Sequence, residues 1–228
     1  MVFCGPHEGR HTGVLVAKKL DEVIDSLLLP EICHKAMTTD NAANMKVACR
    51  ESRTIDLGTT CFAHTLNLVV VNAIKSVPKI QIAVDEFKKL VGGCHKSTLY
   101  CERIRKECED LNRSGTTPTT YNKMIQPVDT RWNSMLMMIR SVVKLREALE
   151  GIRDGGRAND ANLIELIPTQ ESFDLLDSII QVLTRFEEVS TFMSSEKIPI
   201  YRLLPRWRWE GRVNSSKISE LILNTAKT

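Results

Sequence analysis

No long apolar run occurs in this chain. Apolar stretches such as Leu66 to Val71, which Asn67 interrupts, are far too short to span a bilayer as a helix. Aromatic residues make up only 5%, so the core has to be aliphatic. Neither sign of charge dominates: 31 Lys and Arg face 28 Asp and Glu, for a net charge of +3. Bulk charge therefore does not mark a polyanion binder, and any nucleic-acid surface must be local. No targeting segment is visible at the N-terminus. Gly5, Gly9 and Gly13 match neither a Walker loop nor a dinucleotide fingerprint. There is no G-x-S-x-G elbow for acyl transfer. The 7 cysteines are odd in number and irregularly spaced, which points to reduced thiols in the cytosol or nucleus and not to a disulfide framework.

What is present is enough for one or two domains with a sizeable core: 228 residues, 43% of them hydrophobic. Met1 to Cys4 reads as the end of a strand. Val14, Ala17, Leu20, Ile24, Leu27 and Leu28 recur at helical spacing. Ile32 to Thr38 is a short strand candidate, and Ala42 to Cys49 a helix with Asp40 or Asn41 as its cap. Thr54 to Leu57 and Thr59 to Ala63 read as extended, broken at Gly58. Helices are expected over Thr65 to Ser76, stopped by Pro78, and over Lys79 to Val91, ended by Gly92-Gly93.

Beyond Gly93 the pattern is helical and charged. Ser97 to Leu111 is a helix and Asn112 to Thr120 a polar loop. Thr130 to Leu149 reads as one helix, capped by Asp129 or Thr130. A Gly-rich loop covers Gly151 to Asn162, and Thr169 caps a long helix carrying Phe173, Leu176, Leu183 and Phe186. Pro199 and Pro205 bracket a last turn before a basic tail. The fold class expected is α/β: an incomplete β/α core over 1–93, an all-α insertion over 94–205, and a divergent tail over 206–228.

Several residues can carry chemistry. Asp40 sits where a strand meets a helix. A carboxylate there suits Mg²⁺, a hard cation held by one or two carboxylates plus substrate phosphate, or it serves as a helix cap. His64 opens the helix after the next strand, where it can orient a phosphate or be satisfied by backbone groups. Cys61-x2-His64 is half of a zinc pattern. Cys33-His34 and Cys94-His95 do not complete it, and buried thiols are the competing reading. Arg131 and Trp132 begin a helix after a loop. They suit a phosphate grip and a stacked base, or, for Trp132, a core anchor continued by Met135, Leu136 and Ile139. Arg206-Trp207-Arg208-Trp209, with Arg202 and Arg212, alternates basic and aromatic residues, as a nucleic-acid patch or a displaced amphipathic strand would.

Three ordered motifs resemble one family. Thr39-Asp40-Asn41-Ala42-Ala43-Asn44-Met45, then Cys61-x-Ala63-His64-Thr65-Leu66-Asn67-Leu68, then Thr130-Arg131-Trp132-Asn133-Ser134 are similar to segments of the hAT (hobo/Ac/Tam3) transposases, in particular the zinc-finger BED-domain-containing type. His11-Thr12-Gly13 before a helix also fits. So does Ser194 to Pro205, with Ile200 where the family has Thr. The resemblance implies an RNase H-like core interrupted by an all-α insertion. It also implies nuclear location, DNA as partner, and two Mg²⁺ ions acting in DNA cleavage and strand transfer. Asp40 matches the family's second catalytic Asp and would be a metal ligand. Cys61 and His64 match its C-x2-H motif, and Trp132 the Trp near the DNA end.

The departures from the family matter as much. The chain begins near the third strand of that core and stops inside the insertion. The first catalytic Asp, the catalytic Glu, the BED finger and the dimerisation segment have no counterparts. Glu210 and Glu220 lie in a stretch that no longer matches. The expectation is a catalytically inactive fragment binding no metal of its own, with a residual DNA- or protein-binding role. The alternatives are a Mg²⁺-dependent transposase or nuclease completed by missing segments, and a helical protein-interaction module. A sheet lacking its neighbours would also leave an open edge, so the isolated chain is expected to be marginal or prone to aggregation.

Overall fold

Thr12-Gly13 starts the first helix, α1 (Gly13–Ser26), by two separate effects. The Thr12 Oγ1 accepts the Leu15 amide at 3.4 Å, as an N-cap should. Gly13 permits close packing against α2 (Ala43–Glu51): a Cβ there would lie 2.5 Å from the Val47 Cβ and 2.6 Å from the Asn44 carbonyl. The structure is a computed structural model that describes residues 10–29, 35–115, 120–128 and 131–193. The expected strand at Met1 to Cys4, the Cys33-His34 pair, Asp129, Thr130, the Pro199–Pro205 turn and the Arg206–Trp209 tail lie outside those residues.

Two short strands, β1 (Ala36–Thr39) and β2 (Leu57–Thr60), pair in parallel with Ala36 opposite Leu57 and Thr39 opposite Thr60. Parallel neighbours need a crossover, and α2 supplies it. Gly58 does not break β2. A Cβ at this position would come 2.8 Å from the Cys49 Cβ, so glycine lets the strand lie close under α2. The segment leading into β2 is held to α1 by a buried carboxylate. Asp21 is 8% exposed and accepts from Ser52 Oγ at 2.6 Å, Thr54 Oγ1 at 2.7 Å, the Thr54 amide at 3.2 Å and the Arg53 amide at 3.3 Å.

The remaining elements are helical. α3 (Phe62–Lys75) follows β2; then come α4 (Pro78–Lys96), α5 (Thr98–Ser114), α6 (Trp132–Val143) and α7 (Arg146–Gly155). A 3-10 turn (Ala158–Asp160), α8 (Ala161–Ile164) and α9 (Gln170–Met193) complete the described chain. The chain divides into two compact units, Met1–Leu68 and Val69–Thr228. In the second, α4 packs on α9, α6 and α5; α6 packs on α9; and α7 packs on α5. Phe87, Leu90, Leu136, Ile139, Leu149 and Phe173 are fully buried in this core. Each such side chain contributes about 1.5–3 kcal/mol through its removal from water. The Phe87 and Phe173 rings meet at 5.1 Å. Arg103 bridges Glu107 at 2.7 Å and Asp160 at 2.8 Å, and Arg140 reaches Glu187 and Thr184 of α9, both at 2.7 Å.

Among the described residues the α/β part holds a two-stranded parallel sheet in a mostly helical chain. The compact units part at Leu68/Val69, and the apolar face of α4 is buried with α9 and α6. Several expectations for single elements are corrected. Gly92-Gly93 does not end α4, which runs on to Lys96. Gly93 admits Leu166, whose Cδ1 would lie 2.5 Å from a Cβ. The helix expected over Thr130 to Leu149 is two helices. The turn at Lys144-Leu145 redirects α7 so that Ala148, Leu149 and Ile152 pack on the α5 side while α6 serves α4 and α9. The expected loop from Gly151 holds the end of α7, the 3-10 turn and α8. Among the described residues, no helix is long and apolar enough to cross a membrane.

Candidate functional site

In a parallel pair both strands point the same way, so the residues that follow them leave from one end of the sheet. Thr39 is paired with Thr60, which places Asp40 and Cys61 side by side at the carboxyl end. The Cys61 amide donates to the Thr39 carbonyl at 2.6 Å and closes the pairing. His64 is the third residue of α3, half-buried, in the turn that rises from this end. The two motifs apart in sequence are therefore brought to one place. Ligand sites of parallel sheets lie characteristically outside this end.

Asp40 is exposed, and its Oδ1 accepts the Ala42 amide at 3.1 Å. It holds the turn ahead of α2 and does not cap it: the N-cap is Ala42, with no side-chain bond to the first turn. Asn41 is not the cap either. Its Nδ2 donates to Thr65 Oγ1 at 3.3 Å, and that hydroxyl donates to the Cys61 carbonyl at 3.0 Å. Asn41 and Thr65 thus tie the loop after β1 to the first turn of α3. The motifs contain both residues, but only the strand pairing reveals their bond.

The Mg²⁺ implied by the family resemblance can be set against these groups. Asp40 offers a hard carboxylate oxygen, which fits one Mg²⁺ ligand. Among the described residues no three His, Cys, Asp or Glu side chains gather closely enough to hold a metal. The described sheet end therefore supplies one carboxylate and not a two-metal set. The same holds for zinc at Cys61-x2-His64. Cys94 and Cys108 are buried thiols; burial, with Cys101 nearby, pushes Cys94 up to about 12, and burial raises Cys108 as well. Such thiols are poor nucleophiles at neutral pH.

The Arg131-Trp132 motif belongs to the helical unit. Residues 120–128 strap it into place. The Met124 carbonyl lies 3.0 Å from His95 Nε2, which makes that nitrogen the donor. The Ile125 amide donates to Ser141 Oγ at 3.1 Å, and the Arg105 guanidinium sits 5.2 Å over the Tyr121 ring. Ser134 Oγ accepts the Val128 amide at 2.9 Å and lies 2.7 Å from the Arg131 carbonyl, to which it can donate. Arg131 follows as the N-cap of α6, and its exposed side chain lines a cleft. Trp132 is 3% exposed: it anchors the core and also lines the same cleft. Lys75 of α3 and Lys88 of α4 line it as well. Neither lysine stood out in the sequence, because each is one cation in an ordinary amphipathic helix.

The sequence pattern of the ZBED1 RNase-like helical domain matches residues 59–182, more than half of the 228-residue chain. The match takes in Cys61, His64, Arg131 and Trp132, whereas Asp40 lies ahead of it. The chain is 25% identical over 145 residues to Zinc finger BED domain-containing protein 4 of Homo sapiens, covering 64% of this chain and 11% of that protein. It is 23% identical over 205 residues to the protein named "Putative AC transposase" of Zea mays, covering 82% of this chain and 23% of that protein. The chain thus spans less than a quarter of the length of either relative.

Proposed function

Because the chain belongs to the ZBED1 RNase-like helical domain family, we propose that it is part of a nuclear, BED-type protein derived from a hAT transposase, and that it binds DNA without cutting it by itself. The kinship with the Homo sapiens and Zea mays proteins supports the first half of this reading. In it, β1, α2 and β2 are one crossover of an RNase H-like core, and the helices from α5 onward are the insertion.

The observation that carries the second half is the sheet end. Mg²⁺, when bound, would activate water or a 3′-hydroxyl and neutralise the leaving oxygen. Two such ions need several carboxylates, and the paired strand ends bring Asp40 alone. What the chain's own groups do there is positional: Asn41 and Thr65 fix the geometry between Asp40 and the Cys61–His64 turn. DNA contact falls to the Arg131 region, where a cation is held outward at a helix N-terminus.

The test is a plasmid-nicking assay on the full chain with Mg²⁺ or Mn²⁺, beside a DNA-binding titration. Binding without nicking is the expected result. Nicking that disappears in Asp40→Ala overturns it. A second reading is favoured by the coverage of the relatives, 11% and 23%: other segments of a longer protein supply the missing carboxylates. In that case the longer protein nicks DNA, and Asp40→Ala within it abolishes the activity.

A further inference from the structure

The cleft beside Arg131 has a composition that bears on how DNA would be held. Val71 and Ile74 of α3 and Val84 of α4 give it apolar lining. Lys75, Lys88 and Arg131 line it too, and no Asp or Glu does. Asp85, on α4, accepts the Gln81 amide at 2.9 Å. Among the described residues neither the Lys75 nor the Arg131 side chain has an ion-pair partner. The first turn of α6 contains no acidic residue, and its N-cap makes no side-chain bond, so the positive end of the helix adds to the same field.

Stacking would require an aromatic face. Trp132 does not offer one: at 3% exposure its ring is committed to the core. Cations from α3, α4 and the start of α6 beside aliphatic side chains in one cleft match a sugar-phosphate backbone instead, with phosphates at the cations and deoxyribose over the aliphatic side chains.

Resting on the DNA-binding reading above, we propose that this cleft is a phosphate clamp for the backbone of double-stranded DNA. Lys75 and Arg131 each contact a phosphate, and Trp132 supports the wall without stacking on a base. The strap bonds of Ser134 to Val128 and Arg131 make Ser134 the positioning residue that holds Arg131 in the cleft. Contact of this kind is independent of base sequence and sensitive to salt, because each neutralised phosphate releases counterions.

The experiment titrates the full chain with fluorescently labelled duplex DNA across a range of salt, by anisotropy. Lys75→Ala and Arg131→Ala are each expected to reduce the slope of log K against log salt by about 0.9, and to weaken binding about five-fold near physiological salt. Lys89→Ala, an exposed cation of α4 outside the cleft, keeps the full slope. A duplex carrying abasic positions binds as tightly as the intact one. Should an alanine variant lose helicity, Lys75→Gln and Arg131→Gln provide the same readout. Unchanged slopes in both variants, with DNA still bound, overturn the clamp and leave the DNA-binding reading standing. So does a ten-fold loss on abasic DNA, which would mean stacking. Absence of salt-dependent DNA binding by the unaltered chain, or binding only to an acidic polypeptide such as polyglutamate, overturns both.

Discussion

Asp21 is the residue whose replacement should most disturb the β1–α2–β2 unit. Its carboxylate is 8% exposed and gathers four donors from Ser52, Arg53 and Thr54, just ahead of β2. A hydrogen bond to a charged group is worth about 1.5–3 kcal/mol, and a buried donor left unsatisfied costs about 1–3 kcal/mol. The two hydroxyls can turn to other acceptors, so the contributions do not simply add. Asp21→Ala should cost about 3–5 kcal/mol. Asp21→Asn keeps an oxygen at the Oδ1 position, which takes three of the four bonds, and sets an amide against the Arg53 N–H. It should cost about 1–2 kcal/mol.

The pH dependence follows from the same contacts. Burial alone would raise the Asp21 carboxyl, but the bonds from Ser52, Thr54 and the Arg53 and Thr54 amides outweigh it and hold the group below 3.8. The unfolded chain therefore takes up the proton first as pH falls. The stabilisation is complete above the unfolded value and is lost as pH drops through the lower folded value. The assay is hydrogen exchange, read on the peptides of α1 and of residues 52–60 and repeated from neutral pH into acid. Those peptides should lose protection in the order wild type, Asn, Ala, and both variants should lack the acid-dependent step. An Ala variant within about 0.5 kcal/mol of wild type, or an acid step that survives in Asp21→Asn, would refute the reasoning.

Two further substitutions probe packing and charge. Gly13→Ala forces a methyl to within 2.5 Å of the Val47 Cβ and 2.6 Å of its Cγ1; overpacking of this kind should cost about 1–3 kcal/mol in urea denaturation, and Val47→Ala in the same chain, which removes Cγ1, should recover part of it. Arg103→Ala leaves Asp160, whose side chain is 10% exposed, without its guanidinium; loss of one partner of a buried pair should cost about 3–5 kcal/mol, whereas Arg113→Ala, whose side chain is 73% exposed, should change stability by less than about 1 kcal/mol.

The helices α1, α3, α4, α5 and α9 were legible in the sequence because an amphipathic stripe repeats at the helical period whatever it packs against. The motifs around Asp40, Cys61 and Arg131 were equally visible, as residue types at fixed spacing. Where elements end depended on neighbours further along the chain. Gly93 looks like a stop, yet the helix continues because Leu166 fills the space that a Cβ would have taken. Leu145 lies inside an unbroken apolar pattern, yet the chain turns there because α6 and α7 serve different partners.

The functional residues divide in the same way. Sequence alone determined that Asp40 follows a strand, that His64 opens a helix, and that Arg131 and Trp132 stand together ahead of another. Only the tertiary structure decided that Thr39 pairs with Thr60, so that Asp40 and Cys61 leave one end of the sheet. It also decided that Trp132 turns inward and Arg131 outward, and that Lys75 and Lys88 line one cleft with Arg131. Local spacing sets which way a side chain points from its own element. Which groups meet is set by contacts between residues far apart in the chain, and these exist only once the apolar faces have been buried against one another.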